Sequence, residues 1–591
     1  MMINTIAGGA ATSAFPADTA PIKKRLPDKK RFNRKIKELY EARREWEERW
    51  KEIRDYQLPF VGDFDNTADK TSPARRRDLR IAQGVAWLAA QVFAAGLMSG
   101  LTPPSRQWFR FAYKRPELNT NVEAMKVLDI RHEIVSYVLA KSNFYNAVHS
   151  VYLEMPFGQA PLAVFYDPEN GVRFQAMTIG TYALGVDGFG KIQTFARRYD
   201  MTLAQIIDCF GVDSLPERMR GLADNEANLS KKYRVNWLVE PNDDRLPGYM
   251  DNLNMPYRSV YWMEQSGDNE FLYVGGFEEW PVPVGRYLVN GLDAYGRGPG
   301  WFAEGDSKML QMMKKDYLTA IELSIKPPMK GPASLMNNGG INLIPGGLTA
   351  VEDQVQQFVQ PLFEVKLDLD HAAQEIIRTE DSIKRAYSAD LFLMLDSIKD
   401  TSRMTAREVM ERTQEKMQQL GPVSERFQDE FLTLIISRVY NIINRSGGFP
   451  PVPEELQDII GDEDIEIDYI SPLAQAQKMS GLVNVEQAIA QVAQMAQIWP
   501  EVVKKVDPLA TVSKYFEMLG APAVMQRSNE AVQEIIEQEQ KAMQEQQELQ
   551  EGLAMAEAAA PAAEAAKNLT EAANDGNPAV NSWLGVSGGW V

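Results

Sequence analysis

With 591 residues, 45% hydrophobic and 24% charged, the chain has an ordinary globular composition and room for roughly three or four domain-sized units. Its formal net charge of −18 argues against a protein that coats a polyanion through a basic stripe, although not against one that lets a polyanion slide by unheld. The one cysteine, Cys209, excludes an intrachain disulfide framework and fits a reducing cytosol, and His132, His149 and His371 are too scattered for a zinc constellation.

Residues 1–21 lack the basic start and apolar core of a secretory signal, so 1–22 reads as a flexible arm. Residues 23–54 predict a charged amphipathic helix, docked by Tyr40, Trp46, Trp50 and Ile53 at helical spacing. The apolar stretch 81–98 is built on Ala and Gly and carries Gln83 and Gln91. That suits a tightly packed interior helix better than a membrane span, and Pro103-Pro104 ends it. Residues 121–150 predict another helix. Short β-like runs then follow at 172–176, 182–186, 191–199, 233–240, 257–264 and 271–277, and Asp187-Gly188 predicts a tight hairpin between two of them.

Beyond the Gly-rich stretch 296–300, residues 306–326 predict a long helix ended by Pro327-Pro328, its apolar side chains Leu310, Met313, Tyr317 and Ile321 in a narrow seam. Residues 369–393 repeat the arrangement with Ala372, Ile376, Ile383, Tyr387 and Leu391. Narrow seams suit packing against neighbouring helices. The segment between them, 329–368, is a compact insert with Gly339-Gly340, a β-like run at 341–344 and a Pro345-Gly346-Gly347 turn. Thr405 and Glu408 form a capping box opening a helix to about 444, which Gly421-Pro422 should kink; Val409, Met417, Leu420, Phe427, Phe431, Ile435, Val439 and Ile442 face inward. Helical patterns return at 472–518 and 528–560, and 561–591 reads as a mobile, small-residue tail. The expected class is α+β, mostly helical.

Enzyme chemistry finds little support. Gly185 to Lys191 matches a phosphate-cradling loop up to its last position, where Ile192 replaces the Mg²⁺-binding Ser or Thr, and a strand rather than a helix follows. It reads as a hairpin. The acidic run 462–468 alternates, with Asp464, Glu466 and Asp468 on one strand face and Ile465 and Ile467 on the other, and lacks the turn and late Glu of a calcium loop. No nucleophile–base pair can be argued for any Ser or for Cys209. No catalytic residue, cofactor or metal is expected.

Three blocks resemble the portal, or head-to-tail connector, proteins of short-tailed bacteriophages. They are Ala94-Ala-Gly-Leu-Met-Ser-Gly-Leu-Thr-Pro-Pro-Ser-Arg-Gln-Trp-Phe109, the Gly296–Gly300 entry into the helix ended by Pro327-Pro328, and Thr405-Ala-Arg-Glu-Val-Met-Glu-Arg through Leu420-Gly-Pro-Val-Ser-Glu-Arg-Phe427. The resemblance covers about 30–450. It implies a wing at 23–300, stem helices at 301–328 and 369–392, a clip at 329–368, a tunnel loop at 393–404, a wing kinked helix and strand at 405–470, and a C-terminal crown at 471–560. It further implies a ring of about twelve copies at one capsid vertex, in the virion and, during assembly, the host cytoplasm. Double-stranded DNA would pass through non-specifically; a terminase packaging motor, tail adaptors, and major capsid and scaffolding proteins would be partners, and no membrane. Stem packing would fall to Leu310, Met313, Tyr317, Ile321, Ile376, Ile383 and Tyr387. Clip or tail docking would fall to Asn337, Asn338, Ile341, Leu343 and Leu348, and DNA contact in the channel to Lys399, Arg403, Lys384 and Arg385. An internal scaffolding or ejection protein, and more distantly a packaging ATPase, stay open as alternatives.

Overall fold

A computed structural model describes residues 28–64, 80–332, 344–351, 360–362, 369–392, 421–457, 465–470 and 529–574, apart from short gaps within these ranges, and isolated positions between 489 and 512. The chain divides into two compact units, one of residues 1–114 with 127–500, the other of 115–126 with 501–591.

In the first unit, helix α1 (Lys29–Tyr56) starts where the Asp28 side chain accepts the Lys30 N–H at 2.9 Å. Its apolar stripe begins earlier than the expected aromatics: Phe32 and Ile36 lie in one core with Ala196, Leu238, Val260 and Trp262 of a five-stranded sheet. The Trp262 indole donates to Asn33 at 2.9 Å, so α1 is held by its polar edge as well as its apolar face. The sheet is antiparallel throughout, in the order β4 (Tyr182–Val186), β5 (Ile192–Thr202), β6 (Lys232–Pro241), β7 (Tyr257–Met263) and β8 (Tyr273–Phe277), with helix α5 (Leu203–Phe210) between β5 and β6 in the chain. A second sheet has the order β3 (Gly171–Ala176), β2 (Gln159–Asp167) and β9 (Val284–Arg286). Strand β1 (Phe109–Tyr113) pairs antiparallel with β13 (Ile465–Tyr469), where Arg110 and Asp468 form an ion pair at 2.7 Å. Asp464 lies outside the described residues.

The β4–β5 hairpin forms as expected, but its positive φ falls at Gly190 (+83°) rather than at the Asp187-Gly188 pair. Asp187 instead shapes the loop with its carboxylate, which accepts the backbone N–H groups of Phe189 and Lys191, each at 2.9 Å. Helix α2 (Val85–Leu101) is the Ala/Gly stretch, and no helix among the described residues is long and apolar enough to cross a membrane.

Three expectations need correction. The helix expected over 121–150 is two, α3 (Val122–Lys141) and α4 (Phe144–Glu154), because Asn143 turns away to pair both its amide and carbonyl with Phe174 of β3, at 2.8 and 2.9 Å. In the helix that runs on to Arg445, residues 428–432 form a π-turn ahead of α8 (Thr433–Arg445). Phe427 and Leu432 are five residues apart, and the wider turn inserts the extra residue that keeps both, with Ile436, Val439 and Ile443, buried on one side. Pro422 lies in the first described turn; the capping box at 405–408 lies outside the described residues. In the second unit, α9 (Asn529–Asn574) runs through Pro561 well beyond the expected start of a mobile tail. A proline there removes one ladder hydrogen bond, which the helix-forming Ala residues around it tolerate. Its 46 residues span about 69 Å.

Candidate functional site

Helix α6 (Glu304–Ile325) and helix α7 (Leu369–Ala386) pack against each other, and the chain between them carries a small sheet. That sheet has the order β11 (Leu348–Val351), β10 (Met329–Pro332), β12 (Gln360–Pro361), parallel between β10 and β11 and antiparallel between β10 and β12. Pro327-Pro328 stops α6 and leaves the Pro328 carbonyl to accept the Leu362 N–H at 2.6 Å, so the insert closes on itself where it enters and leaves. The Pro345-Gly346-Gly347 turn is present: Gly347 N–H donates to the Ile344 carbonyl at 2.8 Å and Gly346 has a φ of +72°. The β-like run expected at 341–344 lies mostly outside the described residues, and the strand that pairs is β11.

The root of the helical pair is tied down by burial and by hydrogen bonds. Leu310, Ile376, Ile383 and Tyr387 are buried, whereas Met313, Tyr317 and Ile321, farther along, are only half-buried. The buried Gln311 amide satisfies three backbone groups ahead of α2: it accepts the N–H groups of Ala82 (2.6 Å) and Gln83 (2.9 Å) and donates to the Gln83 carbonyl (2.8 Å). The Gln83 side chain donates to Glu380 of α7 at 2.6 Å, and Ser382 of α7 donates to Asp306 of α6, also at 2.6 Å. Glu304 receives Arg49 at 3.1 Å and Lys308 at 2.6 Å, which ties α6 to α1. At the far end of α7 the Tyr387 hydroxyl donates to Gln57 at 2.6 Å, and burial raises its pKa. The helix expected to run to 393 therefore breaks at a turn over Tyr387 and Ser388, with Ser388 at a φ of +52°. Phe392 just beyond reaches α2 so closely that a Cβ on Gly96 would lie 2.1 Å from its ring.

Lys384 pairs with Asp381 of its own helix at 3.0 Å, and Arg385 is exposed. Leu348 is the first residue of β11, opposite Met329. Lys399, Arg403, Asn337, Asn338, Ile341 and Leu343 lie outside the described residues. Sequence reasoning missed Gln311, Gln57 and Gly96; Gly96 lies within the Ala94–Phe109 block, and its small size was the one available signal.

Chemistry-bearing groups elsewhere are accounted for structurally. Burial lowers the His132 pKa to about 4, and the ring sits against Phe109 with Ser136 Oγ at 3.0 Å. Burial pushes the half-buried Cys209 thiol up, away from nucleophilic character. Among the described residues no three His, Cys, Asp or Glu side chains gather where they could hold a metal ion.

Residues 29–526 match the family model described as bacteriophage head to tail connecting protein. A probable portal protein of Bordetella phage BPP-1 is 34% identical over 485 residues, covering 82% of this chain and 86% of that one. A portal protein of Salmonella phage epsilon15 is 32% identical over 517 residues, covering 87% and 91%. Among solved structures, a chain from the virion of a native gene transfer agent particle aligns over 73% of this chain and 99% of its own. Its identity is 10% and its TM-score 0.28, too low to bear on the fold.

Proposed function

The chain belongs to the bacteriophage head-to-tail connecting (portal) protein family, structural and non-enzymatic components of the virion at the head–tail junction, and from that premise we propose that its copies close into a ring through which double-stranded DNA is packaged and released. The observation that supports this most is on α6. Met309 and Leu318, nine residues apart and so on opposite sides of the helix, are 40% and 48% exposed, and Met312 and Ile325 are 63% and 71% exposed. Between them on the helix surface lie Leu310, which is buried, and Asp306, which accepts a hydrogen bond from Ser382 of α7. A helix with apolar flanks on both sides can be gripped by a different neighbour on each, and such head-to-tail contacts close rings rather than two-fold dimers. About twelve copies is the number that the family likeness suggests. An acidic chain repels the phosphate backbone, so DNA would traverse the channel without a deep binding well.

The helical pair then acts as the stem and the insert at its tip as the clip, on which the terminase motor docks during packaging and tail adaptors afterwards; capsid and scaffolding proteins surround the wing. End-on electron micrographs of the purified protein should show annular particles with a central hole. Monomers alone at micromolar concentration would overturn the ring. Replacing 337–349 by a short Gly/Ser linker should leave folded rings that fail to attach tails, and normal infectious particles from that variant would overturn the clip.

A further inference from the structure

We infer that the β4–β5 hairpin tip docks onto a second copy of this chain, with Phe189 as its apolar anchor; the inference rests on the ring reading above. Phe189 is 95% exposed at the tip, and Leu292, 58% exposed, lies beside it, within 3.4 Å of where a Cβ on Gly190 would stand. The tip is rigid. The Asp187 carboxylate accepts Phe189 N–H and Lys191 N–H at 2.9 Å each, and its other oxygen accepts the Gln193 amide at 2.9 Å. Arg286, itself buried, donates to the Gly190 carbonyl at 3.0 Å and to the Asp293 carbonyl at 3.1 Å, and pairs twice with Glu430, both at 2.7 Å. One guanidinium thus locks the tip, the loop carrying Leu292 and the π-turn together.

Because the backbone that carries Phe189 is already held by these bonds, docking the tip would order only the ring and not the loop, and aromatic anchors dominate interface energetics. Phe189 and Leu292 together expose on the order of 300 Å², well short of the ~800 Å² per partner that a stable interface needs. A partner held by this tip alone would come off quickly. A neighbouring copy already held along α6 would not, and this selects a second copy as the occupant.

The test uses the full chain. With Phe189→Ser, thermal unfolding of dissociated monomer should stay as in wild type, because the side chain is 95% exposed. The concentration at which rings dissociate in native mass measurements should rise about tenfold, the effect of losing roughly 1.4 kcal/mol per contact. A photo-crosslinking residue at 189 should join two copies within purified rings. Rings as stable as wild type, with no copy-to-copy crosslink, would overturn the inference while leaving the ring itself standing, as would a crosslink to another virion protein only. Wild-type protein that forms no rings would instead remove the reading on which the inference rests.

Discussion

Glu154 ends α4 inside the core, with Oε2 accepting the Ile179 N–H at 2.8 Å. Its pKa is raised to about 8, first by burial, with the bonds from Ile179 and Thr178 and the charge of Arg197 pulling the other way. From the ordinary 4.5 this is roughly 3.5 units, or about 5 kcal/mol between the two protonation states at ~1.4 kcal/mol per unit. Because the folded pKa is raised, the folded state holds the proton more tightly than the unfolded chain. The stability from this carboxyl is complete below about pH 4.5, falls as pH rises through the window to about 8, and is gone above it. Glu154→Gln keeps an acceptor for Ile179 and cannot ionise. In denaturant unfolding of the full chain, the variant should gain on wild type by on the order of 3 kcal/mol between pH 5 and pH 7, and further by pH 9. A difference between the two proteins that stays constant within ~0.5 kcal/mol from pH 5 to pH 9 would show that Glu154 ionises freely and refute the argument.

His132 offers the opposite slope: burial lowers its pKa to about 4, so its contribution is complete above about pH 6.5 and lost as pH falls toward 4. His132→Asn should flatten the acid side of the stability profile relative to wild type, measured by the same unfolding at pH 4.5 and 7. Gly96→Ala forces a Cβ to 2.1 Å from the Phe392 ring and should cost about 1–3 kcal/mol, read as a lower denaturant midpoint. Arg438, buried, donates to the Val164 carbonyl at 2.9 Å and pairs with Glu279 at 3.1 Å; Arg438→Ala should cost about 3–5 kcal/mol, and a loss under ~1 kcal/mol would contradict its role in holding α8. If Lys399 and Arg403 touch passing phosphates, replacing both by Gln should leave rings intact yet impair retention of the last-packaged DNA, checked by genome length in particles at low and high salt.

Much of the fold was legible because its signals are local. Strand alternation, the prolines after α2 and α6, and the narrow seam of α6 depend only on residues a few positions apart, so β4, β7 and α6 fell close to where the pattern placed them, whereas α7 stops at Ala386. The alternation in 191–199 found β5 but not its length: the ladder with β6 continues through Tyr199 to Thr202, set by the partner strand. Of the seam named from spacing, Leu310, Ile376, Ile383 and Tyr387 are buried, while Met313, Tyr317 and Ile321 are only half-buried. The groups that fix the root were not readable from spacing, since a glutamine's worth depends on what it meets. Gln311 meets three backbone groups more than 200 positions earlier in the chain.

The sequence by itself determined the mixed α and β class and the placing of an insert between two long helices, because periodicity and chain-breaking residues act within a turn or two of the chain; it did not reveal β1, β2 or β9. Tertiary structure decided where helices stop or change pitch: Asn143 leaves its helix for β3, Tyr387 leaves α7 for Gln57, and the π-turn at 428–432 re-phases an apolar face against the sheet. Each of these gives up one regular backbone hydrogen bond or more. Each is settled by a partner far off in sequence, where burial and a satisfied polar group outweigh that local loss.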